Sequence, residues 1–155
     1  MKQKSYIEQW AQKELEGAPL AVIDFETTGL DTSSCSAVSV AVVHMTLGER
    51  NTRIVYNQLI DPCVPIPQVT VDIHGITNET VCGSPTFREQ LPNLMSALDG
   101  RLIAAFNLPY DWSMLNTELQ RCGEDTYPLY GICGKVLATY VDNEQQGRGA
   151  HRLVN

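Results

Sequence analysis

AVIDFETTGLDT, residues 21–32, ends an apolar run with two carboxylates set two positions apart and follows them at once with Thr-Thr-Gly. Residues Ala21 to Asp24 have the make-up of a strand leaving a core. The two-residue period of a strand then puts Asp24 and Glu26 on one face. Two carboxylates that close raise each other's pKa unless a positive charge lies between them, and a bound divalent cation meets that need most simply. An isolated Asp-x-Glu at a strand end is also common and usually solvated, so the rest of the chain has to decide between the two readings.

The 155 residues, 43% of them hydrophobic, are enough for one domain with a single sizeable core. There is no apolar run of about 18 residues, and the polar, periodic start MKQKSYIEQWAQKELE lacks the apolar centre of a signal peptide, so no membrane partner and a cytoplasmic location are expected. Five cysteines, at 35, 63, 82, 122 and 133, form no C-x-x-C pair; they indicate neither disulfides nor a zinc site and are expected to pack as small apolar groups. A net charge of -7 argues against a broad basic surface for nucleic acid. It does not exclude a nucleic-acid enzyme, because bound cations would supply positive charge where a phosphate sits.

Around the opening stretch, the pattern predicts a helix over residues 5–16, started by the capping-box pair Ser5 and Glu8 and stopped by Gly17 and Pro19. Residues 1–18 are thus expected to pack as a helix beside a domain of residues 19–155. Residues 20–25, 37–47 and 52–60 have strand composition, and GERN at 48–51 supplies a turn. The proline-rich DPCVPIPQV is expected to cross the surface. Thr77 and Thr86 are N-cap candidates, the second with Glu89 three residues on, and FREQLPNLMSALDG predicts a helix of about three turns. RLIAAF predicts a short buried strand. NLPYDWSMLNTELQRCG predicts a helix with Pro109 in its first turn and Gly123 as its terminator. A short strand near 129–133, a helix near 135–142 and the start of another at 150–155 complete the pattern.

The strand-to-helix junction at 102–111 is where α/β folds keep their sites. If its strand neighbours the first one, Asp111 joins Asp24 and Glu26 at one sheet edge. Carboxylate oxygens suit Mg²⁺ or Mn²⁺, and two such ions about 3.5 to 4 Å apart stabilise both the attacking and the leaving oxygen of a phosphoryl displacement.

Three strings, in order, resemble one family. VIDFETTGLD resembles the first motif of the DEDD 3′–5′ exonucleases, the group of the proofreading epsilon subunit of bacterial replicative polymerase and of ribonuclease T. IHGITNETVCGSPTF, residues 73–87, resembles that group's H-G-I-T segment, and LIAAFNLPYDWSMLNTEL, residues 102–119, is similar to its second motif, with Phe106 where many relatives have His. The resemblance implies Asp24, Glu26 and Asp111 as catalytic metal ligands, with Asp24 bridging two ions. It implies Phe25, Thr27, Thr28, Gly29, Leu30, His74, Gly75, Ile76 and Asn107 around the terminal nucleotide, with His74 not the general base. Leu30, Tyr110 and Trp112 are candidates for stacking on bases, although Leu and Trp at helical spacing also suit a core; His44, inside a strand, is expected to be structural.

The family's third motif, H-x-x-x-x-D, does not occur in the chain. The resemblance therefore implies a domain that ends before its last helix, its last carboxylate and its general base, the loss of the base alone removing roughly 10² to 10⁴ in rate. Three functions follow as expectations: a 3′–5′ exonuclease releasing nucleoside 5′-monophosphates from single-stranded DNA, an inactive end-binding or interaction module, and an RNA 3′–5′ exonuclease. A polymerase partner, and a role in replication, repair or a mobile element, stay open. The expected fold is ribonuclease H-like: α/β, with a central mixed sheet of five strands, the first three antiparallel, flanked by helices.

Overall fold

The computed structural model describes residues 17–128, 130–136 and 138. The predicted helices at 5–16 and 150–155 lie outside these residues, as does most of the helix predicted near 135–142. Strand β1 (Pro19–Thr27) leads by the loop 28–36 into β2 (Ala37–Thr46), and a tight turn leads to β3 (Thr52–Leu59). After the proline-rich connector come the short helices α1 (Gln68–His74) and α2 (Asn78–Val81), then α3 (Phe87–Leu98), β4 (Leu102–Ala105), α4 (Leu108–Arg121) and β5 (Gly131–Cys133).

The five strands form one mixed sheet in the order β3-β2-β1-β4-β5, with β1 antiparallel to β2 and parallel to β4. Register pairs Leu20 with Leu102 and Val22 with Ala104, so the first strand and the RLIAAF strand are the neighbours that the sequence required. From Ile23 to Thr27, β1 alternates: Ile23, Phe25 and Thr27 are buried, while Asp24 is exposed and Glu26 half-buried on the opposite face. Across β2 the partners of Asp24 and Glu26 are Ala41 and Ser39, small residues that leave this face uncrowded. β4 is buried along its whole length, as a short central parallel strand should be.

Helices hold the sheet from sites legible in the chain. Thr86 caps α3 in a reciprocal box with Glu89, and α3 buries Phe87, Leu94, Ala97 and Leu98. His44 Nε2 donates to the Ala97 carbonyl at 2.6 Å, tying β2 to α3, so this histidine is structural as expected. α4 buries Met114, Leu115 and Leu119 and is closed by Gly123 at φ 78°.

Helix α1 is an element the sequence reading did not foresee. Pro67 does not break the chain there but occupies the N-cap, where its missing N–H costs nothing. The connector crosses the surface as expected except at Ile66, which joins Val38 and Val81 in a small second core. The cysteines correct another expectation. All five are free thiols; Cys35 is buried and Cys122 and Cys133 pack partly buried against the core, whereas Cys63 and Cys82 are exposed, so apolar packing describes three of the five. Among the described residues no helix is long and apolar enough to cross a membrane.

Candidate active site

Asp24 and Glu26 leave the sheet at the end of β1, and the first turn of α4, entering beside them from β4, carries Asp111. Asp111 is buried, and its Oδ1 accepts the backbone N–H of Phe25 at 3.2 Å. Phe25 sits between Asp24 and Glu26 in the strand, so this one bond anchors the third carboxylate at the other two. Burial is the main cause that lifts Asp111 from its ordinary 3.8 to about 6; the Phe25 N–H pulls the other way, and the charges of Asp24 and Glu26 add to the rise. Glu26 is also raised, first by burial and then by Asp24, with His74 opposing; burial alone raises Asp24. The three carboxylates thus share one electrostatic field. They do not form a closed cage: among the described residues no three His, Cys, Asp or Glu side chains stand close enough together to hold an ion.

The turn after β1 is bound on two sides. Thr27 is buried, and its carbonyl accepts His74 Nε2 at 3.2 Å, while its hydroxyl lies 2.6 Å from both Tyr110 Oη and the Gly29 carbonyl. His74 Nδ1 accepts the Ile76 N–H at 3.0 Å, which makes Nε2 the protonated nitrogen. Thr28 closes the loop by pairing with Ser36, its N–H donating to the Ser36 carbonyl and its hydroxyl accepting the Ser36 N–H. A cavity of about 170 Å³ opens here, lined by Glu26, Thr27, Leu30, Ile73, His74 and Tyr110 among others.

The remaining sequence-predicted residues divide. Phe25 and Gly29 also line the cavity, but the Phe25 ring belongs to the main core. Gly29 is not in the left-handed region, and an added Cβ would lie 3.4 Å from that of Cys35; what it contributes is its carbonyl, not conformational freedom. Gly75, by contrast, closes α1 at φ 75°, a position that favours glycine. Leu30 is 84% exposed at the cavity rim. Ile76 packs with the second core, and Asn107 is the exposed N-cap of α4 without a side-chain capping bond. Trp112 packs against the core and donates its indole N–H to Tyr127, so it is not a free stacking surface. The Tyr110 hydroxyl is the functional group that sequence reasoning missed; the sequence offered an aromatic ring beside Asp111 but no sign that its oxygen reaches Thr27.

Known proteins agree with this architecture. A profile of the RNase_T family, described as exonuclease, matches residues 21–149. A DNA polymerase III subunit epsilon-like protein of Rhodobacter capsulatus is 32% identical over 106 residues, covering 68% of this chain and 15% of its own length. A PolC-type DNA polymerase III of Streptococcus suis is 31% identical over 109 residues, 70% of this chain and 7% of its own. Among solved structures, product-bound exonuclease I superposes with a TM-score of 0.64 at 17% identity over 72% of this chain and 27% of its own. Escherichia coli exonuclease I in complex with a dA16 oligonucleotide gives 0.60 at 18% identity, over 71% of this chain and 25% of its own. The fold is thus the ribonuclease H-like α/β architecture that the sequence led one to expect. The chain belongs to the RNase_T exonuclease family. It spans less than a sixth of the curated relatives named here.

Proposed function

We propose that this chain is a 3′–5′ exonuclease domain that hydrolyses single-stranded DNA ends to nucleoside 5′-monophosphates, with water as nucleophile and two divalent cations. The observation that carries the reading is the Phe25 to Asp111 bond, which adds a third carboxylate to Asp24 and Glu26 at one sheet edge. A donor set of carboxylate oxygens alone suits Mg²⁺ or Mn²⁺. Asp24, Glu26 and Asp111 would hold the ions by drawing their side chains together from the open arrangement, and the ions would supply charge stabilisation to the attacking and leaving oxygens of a phosphoryl displacement. The adjoining cavity receives the terminal nucleotide, with Leu30 and Ile73 as its apolar walls. His74 holds the turn with both ring nitrogens engaged, and so serves as a positioning residue rather than a base. Support for DNA comes from the exonuclease I structures that hold dA16 and dT13 oligonucleotides, and support for a polymerase partner from the DNA polymerase III names of the relatives.

A second reading, a module that binds 3′ ends without turnover, is favoured by the open spacing of the carboxylates. The test uses 5′-labelled single-stranded DNA and RNA of one sequence with Mn²⁺, beside Asp24→Ala. A DNA ladder that shortens from the 3′ end and is lost in the variant supports the first reading. Shortening of RNA alone moves the substrate to RNA. No shortening, with 3′-end binding retained, supports the second.

A further inference from the structure

Three oxygens meet where β1 turns: Thr27 Oγ1 and Tyr110 Oη lie 2.6 Å apart, Thr27 Oγ1 lies 2.6 Å from the Gly29 carbonyl, and Tyr110 Oη lies 2.9 Å from the same carbonyl. The two hydroxyls carry one proton each and the carbonyl carries none, so two protons serve three edges. Either hydroxyl can donate to Gly29 while accepting from, or leaving free, the other. The Cys35 thiol is a further hydrogen-bond partner of both hydroxyls; the carbonyl has these two hydroxyls as its side-chain donors, and removing one leaves a single donor for it. Tyr110 comes from α4, one residue before Asp111, while His74 from α1 holds the same Thr27 by its carbonyl. Tyr110 and His74 both line the cavity beside Glu26, and Leu30, next to Gly29, forms its exposed rim.

We propose that Tyr110 is a positioning residue for the terminal nucleotide: its hydroxyl, shared with Thr27, fixes the Gly29 carbonyl and thereby the direction of Leu30, so that the nucleotide meets a wall already in place. This rests on the reading of the cavity as the nucleotide's seat. A preformed wall matters because ordering a loop on binding subtracts from affinity.

The test compares the full chain with Tyr110→Phe, which keeps the ring and removes one oxygen, and with Thr27→Val and Thr27→Ser. Amide hydrogen exchange reads the turn without ligand. The Thr28 N–H, 2.9 Å from the Ser36 carbonyl, and the Ser36 N–H, 3.0 Å from Thr28 Oγ1, report its opening. Titration with dTMP in Mn²⁺ reads the seat. In Tyr110→Phe and Thr27→Val both amides should exchange about fivefold faster and the dTMP Kd should rise about fivefold, what one ordinary hydrogen bond is worth in an equilibrium. Thr27→Ser, which keeps the hydroxyl, should stay near the wild type, and the β1–β2 amides should not move. Unchanged exchange in Tyr110→Phe overturns the clamp. Faster exchange with unchanged dTMP affinity overturns the positioning role. A wild type that binds no dTMP overturns both the positioning role and the nucleotide reading of the cavity, whereas a wild type that binds it as tightly as Tyr110→Phe overturns the positioning role alone.

Discussion

Replacing Asp111 with asparagine should make the metal-free protein more stable at neutral pH. The carboxyl's ordinary value is 3.8 and burial lifts it to about 6 in the fold. The native state therefore binds more protons than the unfolded chain between about pH 4 and 6; stability falls as pH rises through that window and is level above it. The full displacement corresponds to about 3 kcal/mol, at 1.4 kcal/mol for each tenfold change in proton affinity. Water at the exposed Asp24 side of the cluster screens part of this, leaving about 1–2 kcal/mol. Asparagine keeps an oxygen to accept the Phe25 N–H and removes the charge that Asp24 and Glu26 oppose. For a chain of this size each kcal/mol moves Tm by about 2–4 °C, so Asp111→Asn should melt about 2–8 °C higher at pH 7.5 in a chelator. At pH 4, where the native carboxyl is already protonated, less than a third of that gain should remain. Circular-dichroism melts at the two pH values check it. A variant that melts lower than wild type at pH 7.5, or gains equally at both pH values, would refute an uncompensated buried carboxylate at this position.

Two glycines separate backbone freedom from space. Gly75→Ala, at φ 75° with open space around the added Cβ, should cost about 1–2 kcal/mol in urea melts, whereas Gly131→Ala, whose Cβ would collide with the Ile103 carbonyl and the Leu108 side chain between β4 and β5, should cost about 3 kcal/mol. Thr86→Ala removes one half of the α3 capping box and should lower stability by about 1 kcal/mol, read as a shifted urea midpoint at constant slope. Glu118→Ala should cost about 2–3 kcal/mol, because buried Glu118 Oε1 accepts the Ala37 N–H at 2.9 Å; Glu118→Gln, which keeps an acceptor, should recover most of it in the same melts.

Strands β1 to β3 were legible because residues 20–25, 37–47 and 52–60 are rich in Val, Ile, Leu, Ala and Tyr, with GERN as the turn between the last two, and α3 and α4 because Thr86, Glu89, Pro109 and Gly123 mark their ends. The approach of Asp111 to Asp24 and Glu26 needed one further condition, that β1 and β4 be neighbours, and the register supplies it. Helix α1 was hidden by the prolines before it, since a proline outside a helix and one at its N-cap look alike in sequence. What no pattern could show was the use of side-chain oxygens across the fold. The Tyr110 hydroxyl on Thr27 and Gly29, and the Glu118 carboxylate on Ala37, join residues about 80 positions apart. The roles of Phe25 and Gly29 were blurred for the same reason, because each contributes a backbone group at the site while its sequence identity answers to packing.

The proposed function requires Asp24, Glu26 and Asp111 to act together on a divalent cation. Electron paramagnetic resonance of Mn²⁺ titrated into the folded chain, beside Asp24→Asn and Asp111→Asn, tests it without relying on turnover. Bound Mn²⁺ is expected in the wild type, weakened tenfold or more in each variant. Equal Mn²⁺ binding by the wild type and both variants, or none by a folded wild type, would contradict it.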